Sequence, residues 1–197
     1  MRRHPALQYI SVVPAGDPTG SDFGLLDFCK VDSVTYLQEN QEQWSHWGLH
    51  HGHPRPMFNW IAVHNFHSGP QRFIFCLDRS ETTSGAEALM LVTAGHVVQC
   101  EAGPRPPLVC INFLEVAPWN QLAAKNRLFS GLGPILVRMA ADLSLQRGYG
   151  GCVGLHSVAA AEEFYLRLGF WGHHCPNEYH ELYVELGEDG ARSLLVE

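Results

Sequence analysis

Two glycines lie where an apolar, strand-like run has ended and a helical pattern begins. Without a Cβ atom, glycine lets backbone N–H groups approach an anion closely, and the first amides of a helix favour negative charge. The spacing of Gly131 and Gly133 therefore predicts a cradle for a phosphate or pyrophosphate group; the alternative is an ordinary glycine-containing loop before a helix. The segment reads Phe129-Ser130-Gly131-Leu132-Gly133-Pro134, and the run before it ends Leu114-Glu115-Val116.

A buried strand and a long helix have to position that segment. Leu108 to Val116 is apolar almost without a break, which is typical of a central strand covered on both faces. After the glycines, apolar residues repeat at helical spacing, and Pro134 suits the first turn of the helix. Arg147 and Gly148 predict its end. The repeating residues are Leu132, Ile135, Leu136, Met139, Ala140 and Leu143.

Further elements alternate along the rest of the second half. We predict a strand at Gly151 to His156, a short helix whose apolar stripe ends at Leu168, and a strand at Tyr179 to Leu186. Ser157 is a candidate N-cap for the short helix. The stripe consists of Ala161, Phe164, Tyr165 and Leu168.

The first hundred residues, rich in His, Trp, Gly and Pro, give weaker signals. We predict one helix from about Ser33 to Trp47. Strands are expected at Phe58 to Asn65, Arg72 to Leu77 and Ala88 to Thr93, the last two joined as a hairpin or meander. The aromatic side chains Trp44, Trp47, Phe58 and Trp60 are expected to form core or the wall of a pocket.

The segment from Ala161 to Phe170 resembles a known motif. Its sequence, AEEFYLRLGF, is similar to the A-x-x-[FLY]-Y-x-x-x-G-F segment of the GNAT acetyltransferases. Together with the L-x-V strand end and the G-x-G helix start, this resemblance covers Leu108 to about Leu186. It implies an α/β fold with a mixed, mostly antiparallel sheet, splayed central strands and helices on both faces.

The resemblance also implies a function and a set of roles. Acetyl-CoA would be the co-substrate and a primary amine of a small molecule or peptide the acceptor. The strand end Leu114 to Val116 would pair with the pantetheine arm, and the amides of Phe129 to Pro134 would hold the pyrophosphate. Tyr165 would protonate the departing thiolate. Glu115 is the candidate general base, with His156 as its rival.

The chain departs from the family pattern in three places, and the two at Leu128 and Val158 favour an alternative, a GNAT-fold protein that binds CoA or regulates without catalysis. Leu128 occupies a position where the family has Gln or Arg, and Arg127 lies one place earlier. Val158 stands where many members have Asn. The link Ala117 to Ser130, which contains Trp119, Asn120 and Lys125, is longer than usual.

Histidines are concentrated before residue 68, which motivates a second alternative, a metal-binding protein. A structural zinc site needs four ligands at recognisable spacing, and no cysteine lies between Cys29 and Cys76. We therefore expect no metal site and a solvated loop instead. The histidines are His46, His50, His51, His53, His64 and His67.

Composition limits the classes of partner. A formal charge of -7, with only 13 Lys and Arg, argues against nucleic acid, and an acidic surface mildly favours a cationic substrate. No apolar run is long enough to cross a membrane, and no signal peptide is evident at the start.

The cysteines and the length complete the expectations. Six widely spaced cysteines, several in apolar strand-like runs, predict reduced core thiols and a cytoplasmic location. The 197 residues predict one domain, with 1–103 shaping the acceptor side and 104–197 binding the cofactor. We expect a monomer or a homodimer.

Overall fold

The computed structural model describes residues 2–3, 10–12, 24–51, 58–67, 69–79, 85–97, 106–122, 124, 127–173 and 181–196. The strands are β1 Arg2–Arg3, β2 Ile10–Val12, β3 Gly24–Lys30, β4 Arg72–Arg79, β5 Ala86–His96, β6 Leu108–Val116, β7 Val153–Ser157, β8 Trp171–His173 and β9 Leu182–Leu186. The helices are α1 Val34–His51, α2 Trp60–Phe66, α3 Leu132–Gln146, α4 Glu162–Arg167 and α5 Glu188–Val196. Two 3₁₀ turns lie at Pro118–Asn120 and Ala159–Ala161.

The strands form one mixed sheet in the order β1-β3-β4-β5-β6-β7-β9-β8, with β2 also paired to β3. The pairs β1–β3, β2–β3, β3–β4, β7–β9 and β8–β9 are antiparallel, whereas β6 and β7 are parallel. The chain divides into two compact units. The first comprises Met1–Leu91 and Phe113–Gly133, and the second comprises Val92–Asn112 and Pro134–Glu197. The single-domain expectation stays a prediction.

The core of the first unit is aromatic. Trp44 from α1 and Trp60 from α2 are fully buried, and the Trp44 indole N–H donates to the Ala86 carbonyl of β5 at 3.1 Å. Trp119 packs edge-on against Trp44, with ring centroids 6.4 Å apart. Burial of such large rings dominates core energetics. The expectation that Trp44 and Trp60 are core residues is confirmed.

The second unit has an aliphatic core between parallel and antiparallel ladders. β7 pairs with β9 from Val153↔Leu186 to Ser157↔Leu182. β6 pairs with β7 through Val109↔Val153 and Cys110↔Gly154. The last pair, at Cys110, lies six residues before the end of β6. Pairing that stops this early is compatible with the expected splaying of the two strands. Leu108, Cys110, Cys152 and Tyr183 form a buried cluster in this unit.

Helix α3 has both of its predicted ends. Gly131 immediately precedes it with a φ of 75°, and Gly148, two residues after its end, has a φ of 76°. Both values lie in the left-handed region that glycine adopts without steric cost. The buried residues Leu132, Leu136, Met139, Ala140 and Leu143 follow the predicted stripe.

Most other predicted elements are confirmed with shifted ends. The helix from Ser33 is α1, and the strands at Arg72 and Ala88 are β4 and a longer β5. The strand expected at Tyr179 is described from Leu182, and Tyr179 lies outside the described residues.

Two predictions of local structure are wrong. Phe58 to Asn65 is not a strand, because the Asn59 side chain caps α2 by accepting the Ala62 N–H at 3.0 Å. Ser157 is not a helix cap. It ends β7, its hydroxyl donates to the Val158 carbonyl, and a 3₁₀ turn separates it from α4.

Cysteines and hydropathy complete the comparison. Four cysteines are buried free thiols, as predicted: Cys29, Cys76, Cys110 and Cys152. Cys100 and Cys175 lie outside the described residues. Within the described ranges, every helix is too short or too polar to cross a membrane.

Candidate active site

The end of β6 carries the predicted pantetheine-binding residues. Leu114 and Val116 are half-buried, and Glu115 between them is only 6% exposed. The Trp60 indole N–H donates to the Glu115 carboxylate at 2.9 Å, which compensates part of the cost of burying this charge. The Gln121 side-chain amide lies 3.3 Å from the Val116 carbonyl and donates to it. Any amide that pairs with Val116 has to share this carbonyl with Gln121.

The predicted phosphate-binding segment lies directly before α3 and consists of a buried residue, Phe129, followed by an exposed turn at Gly131. Phe129 is buried, and its backbone N–H donates to the Asn120 side-chain oxygen at 2.9 Å. Gly131 is exposed, and a Cβ atom built on it would meet no heavy atom within 4 Å. Leu132 is buried. Ser130, Gly133 and Pro134 are half-buried.

A second buried carboxylate, which sequence reasoning missed, holds this segment in place. Glu87 in β5 is fully buried and accepts hydrogen bonds from the Trp119 indole and the Asn120 side-chain amide, both at 2.5 Å. Its backbone carbonyl accepts the Ala117 N–H at 2.9 Å. A series of hydrogen bonds therefore runs from Glu87 through Asn120 to Phe129. A carboxylate at the head of an apolar strand was the signal available in the sequence.

Tyr165, the candidate acid, is a buried residue of α4. Its ring packs edge-on against Phe164 and Phe170, with centroids 4.9 and 5.5 Å away. Burial raises the pKa of the Tyr165 phenol to about 12. The phenol therefore keeps its proton throughout the physiological range and is available as a donor.

His156, the rival base, lies at the end of β7. Its side chain is exposed, so His156 is not a core residue. Partial desolvation lowers the His156 pKa, and the nearby Glu181 carboxylate opposes that shift. The imidazole is neutral at pH 7 and able to accept a proton.

The candidate residues are divided between the two units. Glu115 and the segment up to Gly133 belong to the first unit, and Pro134, His156 and Tyr165 belong to the second. Their roles stay predictions. The two positions that depart from the family pattern, Leu128 and Val158, are both exposed.

The histidines of α1 form a pair and not a larger cluster. The ring nitrogens Nε2 of His46 and His50 lie 3.0 Å apart, and His51 stacks on Trp47. Where residues are described, no three or more His, Cys, Asp or Glu side chains group in a way that could hold a metal ion. His53 lies outside the described residues.

Comparisons with known proteins give structural likeness only. No protein-family profile matches the sequence, and no curated protein does. The structure of FeeM, an N-acyl amino acid synthase from uncultured soil microbes, is similar with a TM-score of 0.55 and 12% identity, covering 85% of this chain and 92% of FeeM. Mutant forms of SpeG, the spermidine/spermine N-acetyltransferase from Vibrio cholerae, give 0.53 and 10%, over 85% and 96%.

A third similar structure is Tetrahymena GCN5, with a TM-score of 0.50 and 12% identity over 81% of this chain and 93% of GCN5. At such identities the likeness establishes the fold. The sheet order, the motif from Ala161 to Phe170 and these neighbours lead to one conclusion. The chain has the fold of the GNAT acetyltransferases.

Proposed function

We propose that this chain binds acetyl-CoA and transfers its acetyl group to a primary amine of a small molecule or peptide. The observation that carries the proposal is the open left-handed turn at Gly131. It directly precedes α3, and the space where a side chain would stand is empty. In this fold, that helix start follows the central strand β6 and suits the CoA pyrophosphate.

The charge around the helix start is compatible with the same function. The first turn of α3 carries no acidic side chain, as in α1 and α2. By contrast, α4 begins with Glu162 and Glu163, and α5 with Glu188 and Asp189. Carboxylates at those helix starts occupy the favourable position for negative charge. The start of α3 holds no carboxylate of its own first turn, which is compatible with an anionic ligand there but is also true of α1 and α2.

Glu115 is our candidate for the general base. A buried carboxylate near the end of β6 accepts the amine proton directly or through one water molecule. The amine nitrogen then forms a bond to the acetyl carbon, and the bond from that carbon to the CoA sulfur breaks. Tyr165, which remains protonated because of its raised pKa, donates a proton to the departing sulfur. The products are the acetylated amine and CoA.

The first experiment compares variants of the two glycines that flank α3, by calorimetric titration with acetyl-CoA. Gly131 and Gly148 have almost equal φ values and equally open surroundings, but they lie at opposite ends of the helix. Glutamate at either position adds the same charge and about 1–2 kcal/mol of left-handed strain. We expect Gly131→Glu to abolish acetyl-CoA binding and Gly148→Glu to retain it. Equal behaviour of the two variants, or no binding to the folded wild-type protein, would contradict the proposal.

A second experiment separates catalysis from binding. Tyr165→Phe retains the ring and removes the proton donor, so acetyl-CoA affinity should persist. Transfer to an accepted amine, found by screening amines by mass spectrometry, should fall by about 100-fold or more. Binding without transfer to any amine in the wild-type protein would favour the non-catalytic alternative. The cytoplasmic location belongs to this proposal and is tested by fractionation.

A further inference from the structure

The first unit contains a cleft that the acyl-transfer proposal does not use. It has a volume of about 170 Å³ and lies where β3 ends, α2 ends and β4 begins. We call it the cation cleft, because four of its five charged or titratable side chains are basic. The five are Lys30, Asp32, His64, His67 and Arg72.

The cation cleft lies away from Glu87, the buried carboxylate that holds the phosphate-binding segment. Arg72 is the first residue of β4, whereas Glu87 lies near the start of β5, the next strand along the chain. β4 and β5 are sheet neighbours joined by a short connection, which requires an antiparallel hairpin. The eight residues of β4 therefore separate the two places by about 20 Å.

The charges in the cleft are unequally paired. Lys30 lies 2.9 Å from the Asp32 carboxylate, and its ammonium stands 5.6 Å from the centre of the Phe73 ring. Among the described residues, Arg72 has no carboxylate within ion-pair distance. Among the described residues, Lys30 is thus the cation that pairs with the Asp32 carboxylate, and the Arg72 guanidinium keeps its charge for a ligand.

The pKa of His67 is sensitive to the positive charge of the cleft. Desolvation lowers the pKa of His67, and the Arg72 guanidinium lowers it further. An anion bound beside both groups would reverse the second effect. A guanidinium and a protonated imidazole together suit a carboxylate or a phosphate group, because their N–H donors make charge-assisted hydrogen bonds.

The rest of the lining is apolar. Val31, Ile74 and Leu91 form a floor that is almost fully buried by the protein itself, and the half-buried Phe73 beside them offers more apolar surface. A volume near 170 Å³ is comparable to that of an engineered apolar cavity of about 150 Å³ that binds benzene. The floor therefore has room for a small hydrocarbon group next to the charged rim.

We propose that the cation cleft binds a small organic anion whose carboxylate or phosphate contacts Arg72 and His67 and whose small apolar body lies against Phe73. The site is independent of acetyl-CoA binding. It takes an anion, whereas the acceptor of the proposed acyl transfer is a cation before it loses its proton. Failure of one proposal therefore leaves the other intact.

The test is an NMR titration of the full chain with benzoate, benzamide and inorganic phosphate. Benzoate carries both features, benzamide has the ring without the charge, and phosphate has the charge without the ring. We expect benzoate to shift the His67 ring signals and to bind at least ten times more tightly than benzamide. Phosphate binding tighter than benzoate binding would identify a phosphate site with no role for the floor. Equal binding of benzoate and benzamide, or no shift with any probe, would overturn the proposal.

Variants of Arg72 test whether this residue binds the anion. Arg72→Gln should weaken benzoate binding at least tenfold, and Arg72→Lys should restore part of it. Arg167→Gln is the matched control, because it removes one exposed arginine of the second unit and should leave benzoate affinity unchanged. An unchanged affinity in a folded Arg72→Gln protein contradicts the assignment.

A second readout is the His67 pKa itself, which should rise when benzoate binds. Because the protonated imidazole binds the anion better, benzoate affinity should increase as the pH falls from 7.5 to about 6. The charged and titratable groups that face His67 in the cleft are Lys30, Asp32, His64 and Arg72. A benzoate-independent His67 pKa would contradict the contact proposed for this imidazole.

Discussion

The two ends of the β4–β5 hairpin differ in how their charged side chains are placed: one end buries a carboxylate, and the other places basic side chains at a cleft. At the end near the start of β5, Glu87 is fully buried and accepts two side-chain hydrogen bonds. At the other end, Arg72 and His67 line an open cleft, and no ion pair of Arg72 is found among the described residues. Buried charge has to be compensated within the protein, whereas charge at a cleft is available to a ligand. The first end therefore stabilises the fold, and the second is the place where we propose that an anion binds.

The largest effect that would sharpen this comparison is expected from Glu87→Gln. The amide has the shape of the carboxylate, but it loses the charge that strengthens the bonds from Trp119 and Asn120. We expect a loss of about 2–3 kcal/mol in the free energy of unfolding, measured with urea, because two charge-assisted hydrogen bonds become neutral ones. The control Glu39→Gln removes an exposed carboxylate in the middle of α1 and should change stability by less than about 0.5 kcal/mol. Similar losses in both variants would break the comparison.

A smaller loss is expected when Glu115 loses its indole donor. Trp60→Phe removes the N–H that lies 2.9 Å from the carboxylate and leaves a small void. Urea unfolding should show a loss of about 2 kcal/mol. Trp171→Phe, at an exposed position of β8, provides the same exchange outside the core and should cost far less. An unchanged stability of Trp60→Phe would mean that the Glu115 carboxylate has sufficient donors without this indole.

The anchoring of the phosphate-binding segment gives a third, weaker effect. Asn120→Ala removes both the donor to Glu87 and the acceptor of the Phe129 N–H. If acetyl-CoA binds as proposed, its dissociation constant should rise about tenfold, the equivalent of 1.4 kcal/mol. Leu122→Ala alters an exposed side chain in the same link and serves as the control. Calorimetry that finds equal affinities for the two variants would remove Asn120 from the positioning of this segment.

The smallest effect concerns the other end of the hairpin. Arg72→Gln removes a positive charge that lowers the His67 pKa, so this pKa should rise. It should remain below 6.5, because desolvation is the larger cause and persists. A His67 pKa below its unfolded value means that stability is full above pH 6.5 and falls as the pH drops through the folded pKa. NMR titration from pH 4.5 to 8 measures the shift, and an unchanged pKa would show that Arg72 does not act on His67.

The elements that position the candidate site were predictable because their patterns are local. The apolar run at β6 and the helical spacing in α3 each specify one element and its burial. The strand predicted at Phe58 failed because α2 has only seven residues, too few for a clear helical period. The Asn59 cap and the i, i+3 spacing of Trp60 and Val63 were the signals that indicated a helix.

The hydrogen bonds around Glu87 and the cation cleft could not be predicted from local sequence patterns. Trp119 and Glu87 are 32 positions apart, and their hydrogen bond exists only once β5 and the end of β6 lie side by side. The cation cleft joins residues of β3, α2 and β4 that share no sequence pattern. Sequence periodicity specifies which face of an element is buried, but not which polar groups meet there.

The hydrogen bonds around Glu87 also restrict how this chain can evolve. Replacing Glu87 with an apolar residue leaves the Trp119 and Asn120 donors buried without an acceptor, and replacing either donor leaves a buried charge poorly compensated. We therefore expect selection against single changes at these three positions and tolerance of joint changes. Across diverged relatives, positions 87, 119 and 120 should covary, and a lineage that loses the acid should also lose its two donors.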